Sequence, residues 1–281
     1  MISIYGATGI IGSYFIGLHG GQSLPRYQLV PTSEEVLYLI STTSNTYSNP
    51  LLHTNTNIDC LMNRLVACQE SSIKTFNFIS SWFVYGSTDV IMRESSPCKP
   101  KGLYSITKHC AEQLVIDFCS FHGIDWRIMR LPNVYGGPDK SNGQRNALHY
   151  MVQRLKVNEP IEMVNGLTRD YLHIYDTCRA IKLLMDVAPV NDIYNIGSGQ
   201  EMELAACIGL CAETLNSQSA ITFRPHRNYE QSLHMRLDCR KLQALGFAPF
   251  ISINQGLRDL CTTQKFSTPA HFSMEKKLAL L

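Results

Sequence analysis

The chain has 281 residues, of which 44% are hydrophobic and 17% are charged, and its formal net charge is +2. This length and apolar content suffice for a large core in one domain or in two closely joined ones. The small net charge gives no electrostatic reason to expect nucleic acid or an anionic membrane as a partner. No apolar run approaches the roughly 20 residues of a membrane helix. Because the ten cysteines lack zinc-type spacing, we expect no metal and a cytoplasmic protein with reduced thiols.

Predicted strands and helices alternate through the first half of the chain. The segment 36–40 is continuously apolar, which is typical of a strand buried on both faces of a parallel sheet. Further strands are predicted at 2–5, 27–30, 76–80 and 125–131. Helices are predicted at about 9–18, 57–69, 104–122, 146–157, 175–187, 203–215 and 238–245. The order of these elements predicts an α/β fold built on a Rossmann-type, doubly wound parallel sheet.

A glycine run separates the first predicted strand from the first predicted helix. Gly6 permits a tight turn, Gly9 lets backbone approach a pyrophosphate, and Gly12 lets the helix pack on the strand. The helix N-terminus then offers free N–H groups and partial positive charge to the phosphates. We therefore predict that this loop, including the intervening Thr8, Ile10 and Ile11, binds a dinucleotide.

Tyr104 and Lys108 lie four residues apart and so share one face of a predicted helix. A free tyrosine has a pKa of about 10 and is a poor base at neutral pH. A nearby ammonium and an oxidised nicotinamide both favour the phenolate, which can take a proton from a substrate hydroxyl. Ser81 closes a predicted strand and can donate a hydrogen bond to the reacting oxygen. These three residues are the predicted catalytic set.

Several segments resemble those of the extended short-chain dehydrogenase/reductase family, the NAD-dependent sugar-nucleotide epimerases and dehydratases. Residues 81–86 (SWFVYG) are similar to the strand end that bears the family's catalytic serine. Residues 131–136 (LPNVYG) are similar to the segment that passes the nicotinamide, and residues 169–176 (RDYLHIYD) to a substrate-contacting element. Asn57 and Cys68 fit the family's asparagine-bearing helix, although Cys60 replaces its usual glycine. The likeness covers nearly the whole chain.

The resemblance implies roles for further residues. The expected cofactor contacts, beyond the glycine loop, are Ser41, Asn57, Tyr104, Lys108, Leu131 and Pro132. The expected substrate contacts are Ser81, Trp82, Phe83, Asn133, Asn146, Arg169 and Arg224. Arg169 is expected to bind the substrate diphosphate through its guanidinium fork, the alternative being a surface ion pair with Asp170.

The same resemblance implies two domains and a partner. Residues 1–133 and about 169–197 are expected to form the dinucleotide-binding domain. Residues about 134–168 and 198–281 are expected to form a smaller substrate-binding domain. The substrate is expected to be a nucleotide sugar. The family usually forms homodimers through the two helices predicted here at 57–69 and 104–122.

The chain departs from the family where the adenosine ribose is usually bound. An acidic residue normally closes the second strand, but Pro31, Thr32 and Ser33 follow the strand predicted at 27–30. The family's next helix and third strand are expected to be missing, which would shorten one edge of the sheet. Neither a ribose carboxylate nor a phosphate-binding arginine is evident, so the cofactor is NAD or NADP, with NAD preferred from the resemblance.

The residues after Ser81 discriminate between reactions. Dehydratases of the family place Asp-Glu there, whereas this chain has Trp82 and Phe83. Elimination is therefore disfavoured, and the leading prediction is an NAD(P)-dependent sugar-nucleotide 4-epimerase. The first alternative is an NADPH-dependent reductase of a nucleotide-linked 4-keto sugar. The second, from another class, is a non-catalytic protein that binds the cofactor without turnover.

Overall fold

The structure is a computed structural model that describes residues 1–42, 49–86, 91–137, 147–227 and 232–262. Its strands are β1 (Ile2–Tyr5), β2 (Gln22–Leu24), β3 (Glu35–Tyr38), β4 (Thr75–Ser81), β5 (Asp125–Leu131), β6 (Asn133–Tyr135), β7 (Ile161–Val164), β8 (Thr168–Arg169), β9 (Tyr171–His173), β10 (Asp192–Asn195), β11 (Met202–Glu203) and β12 (Ile221–Arg224). Its helices are α1 (Ile10–His19), α2 (Pro50–Thr54), α3 (Cys60–Gln69), α4 (Leu103–His122), α5 (Ala147–Lys156), α6 (Ile174–Val187), α7 (Leu204–Leu215), α8 (Arg240–Ala244) and α9 (Ile253–Thr262). A π-helical turn (Asn55–Asp59) joins α2 to α3, and a 3-10 turn (Trp82–Tyr85) follows β4.

Six parallel strands form the central sheet in the order β2-β1-β3-β4-β5-β10. Successive side chains of a strand point to opposite faces. In β3, Leu37 therefore enters the core that also contains side chains of α1 and α6, whereas Val36 and Tyr38 enter the core shared with α3 and α4. Helices cover both faces, which confirms the predicted α/β fold with a doubly wound parallel sheet.

A third apolar core lies away from the sheet. It is built largely by α5, α7, α9 and β7, through residues that include Leu148, Val152, Ile161, Met163, Leu204, Ile208, Leu257 and Leu260. Most of these residues fall in the segments 134–168 and 198–281 that were predicted for a substrate-binding domain. The boundaries of the two domains stay a prediction.

The second strand is not where the sequence pattern placed it. β2 spans Gln22–Leu24 and pairs with β1, with Leu24 opposite Tyr5. The apolar segment 27–30 instead follows a turn that the bond from Gln28 N to Pro25 O closes, and Tyr27 is 87% exposed. The prediction was wrong because this short apolar run is largely exposed and pairs with no strand of the sheet. Within the described ranges, the three-residue β2 is the edge of the sheet.

The helices differ from the predictions mainly at their ends. The helix predicted at 57–69 is preceded by α2 and the π-helical turn, so helical structure begins at Pro50. α9 was not predicted, and α8 is shorter than the predicted 238–245. No helix in the described ranges combines the length and the apolar content needed to cross a bilayer.

Candidate active site

The glycine loop forms a tight connection between β1 and α1. Gly6 has φ +83°, and a Cβ there would lie 2.9 Å from the carbonyl carbon of Leu39. Gly9 donates its N–H to Gly6 O at 3.0 Å and precedes α1 without a side-chain cap. The first turn of α1 carries no acidic residue, so its N–H groups and partial positive charge suit a pyrophosphate. The predicted loop residues therefore fit a dinucleotide, with Thr8 exposed and both Ile10 and Ile11 packed against the core.

Gly12 is the position in this loop that tolerates a side chain least. A Cβ there would lie 2.4 Å from Gly6 O and 2.8 Å from Ala7 Cα, and both are backbone atoms. We expect Gly12→Ala to lower the free energy of unfolding by about 1–3 kcal/mol through overpacking. Gly209→Ala is the matched control, because a Cβ at this α7 position meets no atom within 4 Å and alanine favours the helix by about 0.5–1 kcal/mol. Urea unfolding of both variants measures the difference, and equal stabilities would contradict the close packing.

The Tyr104 hydroxyl is buried beside the side chains of Ser81 and Ser41. Ser81 ends β4, and Tyr104 lies in the first turn of α4. Burial raises the pKa of Tyr104, and the hydrogen bonds with Ser81 and Ser41 act in the opposite direction. The predicted serine–tyrosine pair is thus brought together. Ser41 was predicted only as a cofactor contact, and the structure places it beside the Tyr104 hydroxyl.

Lys108 lies one turn after Tyr104 on α4, with its side chain buried. Its Nζ donates to the carbonyl of Ile79 and lies 4.0 Å from the centre of the Phe78 ring. Burial lowers the pKa of Lys108 to about 7, and the negative charge of Glu112 opposes that effect. Lys108 therefore changes charge near neutral pH in this site.

Asn57 organises the polar groups around Ser41. Its Oδ1 accepts hydrogen bonds from Ser41 Oγ (3.1 Å) and Thr42 N (3.0 Å), and its Nδ2 donates to Thr107 Oγ1 at 2.8 Å. Asn57 lies in the π-helical turn, a feature that recurs at functional sites. Sequence reasoning found Asn57 and Ser41 but missed Thr42 and Thr107, because no local spacing connects them.

Two aromatic residues join the catalytic set to Arg169. The Phe83 ring meets the Tyr104 ring edge-on with centroids 5.6 Å apart, and the Arg169 guanidinium lies 5.1 Å from the Trp82 ring. Trp82 is only 1% exposed. The hydrogen bonds from Arg169 Nη1 reach the carbonyl oxygens of Thr168, Ser232 and Leu233. Arg169 therefore does not form the alternative ion pair with Asp170.

The remaining predicted site residues differ in their surroundings. Asn133 Nδ2 is buried without a hydrogen-bond partner, which suits a group that binds a ligand. Leu131 and Pro132 are buried beside it. Arg224 and Arg169 line one cavity of about 230 Å³, together with Ala147, Met151, Glu162, Met163, Val164, Leu167, Leu204 and His226. Asn146 lies outside the described residues.

Asp170 is a fully buried carboxylate that sequence reasoning did not assign to the site. It accepts hydrogen bonds from Ser198 N (2.8 Å), Ser198 Oγ (2.7 Å) and Gly199 N (2.9 Å), and its backbone oxygen accepts one from Asn133 N. Burial raises the pKa of Asp170 to about 6, although the hydrogen bonds and the charge of Arg236 lower it. Asp170 therefore joins two candidate substrate residues, Asn133 and the adjacent Arg169, to the loop after β10.

This carboxylate predicts a pH-dependent change at Trp82. Below about pH 6, Asp170 is protonated and loses an acceptor for the N–H groups of the loop. We expect this loss to loosen the neighbouring Arg169, whose guanidinium lies over Trp82. In a Trp126→Phe background, Trp82 is the single tryptophan, and its fluorescence should titrate with a midpoint near pH 6. Adding Asp170→Asn should abolish the titration, whereas adding His234→Gln should preserve it. A titration that follows His234 would contradict the assignment.

One cluster has the composition of a metal site. Ligand atoms of Cys98, His109 and Glu112 lie within 4.8 Å of one another. However, Arg130 Nη2 donates to Glu112 Oε2 at 2.8 Å and to Cys98 Sγ at 3.3 Å. The guanidinium already supplies the positive charge of this cluster, so a cation there would have to displace it.

More than half of the chain matches a known protein family. Residues 27–197 match the model of the NAD dependent epimerase/dehydratase family. The chain belongs to this family. It is 25% identical over 225 residues to a putative UDP-glucose 4-epimerase of Methanocaldococcus jannaschii, and this alignment covers 79% of this chain and 73% of the relative. It is 28% identical over 210 residues to a low-salt glycan biosynthesis protein of Haloferax volcanii, which covers 72% and 66%.

Solved structures share the fold of this family member. The UDP-glucose 4-epimerase of Thermotoga maritima, solved with UDP-glucose, aligns with a TM-score of 0.79 and 24% identity over 92% of this chain and 96% of that one. The UDP-glucuronic acid 4-epimerase of Bacillus cereus, with UDP-glucuronic acid and NAD, aligns with a TM-score of 0.81 and 20% identity over 92% and 98%. RMD from Pseudomonas aeruginosa, with NADPH, aligns with a TM-score of 0.80 and 22% identity over 93% and 97%.

Proposed function

We propose that this chain catalyses NAD(P)-dependent oxidoreduction at C4 of a nucleotide-linked sugar, as a sugar-nucleotide 4-epimerase. The observation that carries the proposal is the Tyr104 hydroxyl, which is buried beside Ser81 and Ser41. Ser81 ends β4 and the glycine loop follows β1, so both lie at the carboxyl edge of the parallel sheet, where ligands of such folds bind. The relatives named as UDP-sugar 4-epimerases support the same reaction.

The residues divide the chemistry between them. The bound dinucleotide supplies the group that accepts hydride from the sugar and returns it. Tyr104 takes the proton of the 4-hydroxyl and later gives it back, and Ser81 donates a hydrogen bond to the same oxygen. Lys108, in its protonated form, favours the phenolate of Tyr104 and would hold the ribose of a bound dinucleotide. Epimerisation further requires that the 4-keto sugar present its other face before hydride returns.

The cavity between Arg169 and Arg224 supports a diphosphate-linked substrate. Arg169 and Arg224 both line it, and a guanidinium suits two phosphate oxygens. The unpartnered Asn133 Nδ2 supplies a further donor. The residues after Ser81, Trp82 and Phe83, offer neither acid nor base, which supports reaction at C4 over elimination of water.

The test follows hydride and cofactor separately. Mass spectrometry of the nucleotide released on denaturation identifies any captive cofactor, and an epimerase, which recycles its cofactor, is expected to release bound NAD or NADP. The protein is then incubated with UDP-glucose deuterated at C4, and with UDP-galactose, UDP-N-acetylglucosamine and UDP-glucuronic acid. We expect conversion of at least one sugar into its 4-epimer, with deuterium kept at C4 if UDP-glucose reacts. Loss of that deuterium to solvent, or no epimer from any sugar of the panel, contradicts the proposal.

A second candidate is an NADPH-dependent reductase of a nucleotide-linked 4-keto sugar. It uses the same Ser81, Tyr104 and Lys108, and the position of Arg26 favours it, as argued below. NADPH consumption with a 4-keto sugar nucleotide, without formation of an epimer from the saturated sugars, distinguishes it. The intact catalytic set and the family membership favour either enzyme over a non-catalytic cofactor-binding protein.

We also propose a homodimer in the cytoplasm. Exposed apolar side chains on α3 and α4, namely Val66, Ile106 and Phe121, support pairing of these two helices with a second copy. All ten cysteines are free thiols, which fits a reducing compartment. Light scattering of the wild type and of Ile106→Lys tests the dimer, because a charge at this face should favour the monomer.

A further inference from the structure

The correct position of β2 changes which residue faces the adenosine end of a dinucleotide. β2 is parallel to β1, with Leu24 in register with Tyr5. If the register is continued by two residues, Arg26 lies level with Ala7, at the edge where the glycine loop begins. Arg26 is exposed and lies 20 residues after Gly6 (26 − 6 = 20). In Rossmann folds, a residue at about this distance from the glycine motif recognises the adenosine ribose.

The chemistry of this position distinguishes the two nicotinamide dinucleotides. A carboxylate there accepts hydrogen bonds from the ribose hydroxyl of NAD, whereas an arginine accommodates the 2′-phosphate of NADP. Residues 1–33 contain no Asp or Glu. The first acidic residues, Glu34 and Glu35, lie at the amino end of β3, whereas the glycine loop lies at the carboxyl ends of these parallel strands. The segment that joins β1 to β3 therefore offers no carboxylate that can accept hydrogen bonds from the ribose hydroxyls.

A second arginine supports the turn that presents Arg26. Arg64 of α3 is 2% exposed and donates from Nη2 to Arg26 O at 2.9 Å and from Nη1 to Cys60 O at 3.0 Å. Its Nε is buried without a hydrogen-bond partner. In the described ranges, neither guanidinium lies within ion-pair distance of a carboxylate. The exposed guanidinium of Arg26 thus stands on a turn that the buried Arg64 holds, and a phosphate monoester could neutralise its charge.

We propose that the turn after β2 binds the 2′-phosphate of NADP(H), with Arg26 as the residue that contacts the phosphate. The inference rests on the proposed dinucleotide site and adds its selectivity, which the sequence pattern alone left open. Arg64 holds the turn in place from behind. A preference for NADP(H) favours the ketone reductase over the epimerase, because a reductase draws its hydride from an exchanging pool of reduced cofactor.

Titration of the whole protein with NADPH and with NADH, monitored calorimetrically, tests the proposal. We expect the wild type to bind NADPH about 10- to 100-fold more tightly, as one charge-assisted contact provides. Arg26→Ala should lose most of this preference by weakening NADPH binding while NADH affinity stays within about twofold. Arg26→Asp should reverse the preference. Arg258→Ala on α9 is the control, and both of its affinities should be unchanged.

The outcomes separate this inference from the proposed function. Equal affinities for the two cofactors, or equal weakening of both by Arg26→Ala, overturn the phosphate site even if the protein epimerises a nucleotide sugar. A preference for NADPH that Arg26→Ala removes supports the site even if no sugar of the panel reacts. Failure to bind either dinucleotide overturns both. Raising the salt concentration should weaken NADPH binding more than NADH binding, since the additional contact is electrostatic.

Discussion

Replacing Tyr104 by phenylalanine is expected to lower kcat by about 10²- to 10⁴-fold, the usual contribution of a positioned acid–base group. The phenyl ring can keep its edge-on contact with Phe83 and its place in α4. Only the hydroxyl that Ser81 and Ser41 contact is removed. Binding of the dinucleotide, measured by calorimetry, should therefore stay within about twofold of the wild type. Initial rates with whichever nucleotide sugar the panel identifies give kcat.

Tyr150→Phe serves as the control for the loss of a tyrosine hydroxyl. This side chain is 49% exposed and contacts Arg154 on the same helix, so its kcat should be that of the wild type. Ser41→Ala adds a sharper test, because it removes one of two hydrogen bonds that lower the pKa of Tyr104. Its activity should rise to a plateau at a higher pH than in the wild type. Turnover retained in Tyr104→Phe would exclude Tyr104 as the acid–base group.

The sheet could be predicted where its strands are buried on both faces. The segments at β1, β3 and β5 are mostly apolar, and β4 carries the buried Phe76, Phe78 and Ile79, as expected for a parallel sheet covered by helices. The prediction of β2 failed because β2 is a short edge strand with a largely polar sequence, Gln22-Ser23-Leu24. The more apolar segment 27–30 competed with it, although its side chains are largely exposed. Edge position decided the structure, and local composition does not report edge position.

The catalytic set could be predicted because its chemistry is local in sequence. Tyr104 and Lys108 share a helix face by their spacing, and Ser81 is recognisable as a strand end. The contacts that complete the site are not local. The hydrogen bond between Ser41 and Asn57 joins residues 16 positions apart in the sequence. The one between Asn57 and Thr107 joins residues 50 positions apart, and the one between Ser198 and Asp170 joins residues 28 positions apart. Such pairs depend on how the elements pack, which no periodicity in a single sequence encodes.

The error in β2 had a consequence for function. With the second strand predicted at 27–30, the residues expected to face the adenosine ribose are Pro31, Thr32 and Ser33, which give no basis for choosing between NAD and NADP. Moving the strand to Gln22–Leu24 brings Arg26 to that position. A shift of a few residues at one strand end therefore decides which chemistry a binding site is assigned.

The second large effect concerns stability, and it is expected for Glu112→Gln. Glu112 has no exposed surface and accepts hydrogen bonds from Arg130 Nε (3.0 Å) and Nη2 (2.8 Å). Arg130 is itself only 2% exposed. The substitution leaves this guanidinium charged and buried without its counterion, which typically costs about 3–5 kcal/mol. Urea unfolding should show that loss, which is a large part of the roughly 5–15 kcal/mol that stabilises a typical domain.

The double variant Glu112→Gln/Arg130→Met distinguishes the loss of the ion pair from the cost of burying one unpaired charge. Removing both charges also removes the uncompensated one, so most of the stability lost in Glu112→Gln should return. Arg130→Met alone should be destabilised, because it leaves the Glu112 carboxylate buried. If Glu112→Gln lost less than about 1 kcal/mol, the guanidinium would have found another partner, and Cys98 is already in contact with it.

The pH dependence gives this pair an independent signature. Burial raises the pKa of Glu112, but hydrogen bonds from His109 and Arg130 outweigh it and hold this pKa below its usual range. A carboxylate with a depressed pKa stabilises the folded state above its unfolded pKa, and this stability is lost as the pH falls through the folded pKa. The wild type should therefore lose stability in acid more steeply than the double variant. Glu112 also raises the pKa of Lys108, so in the double variant Lys108 should lose its proton, and the enzyme its activity, at a lower pH.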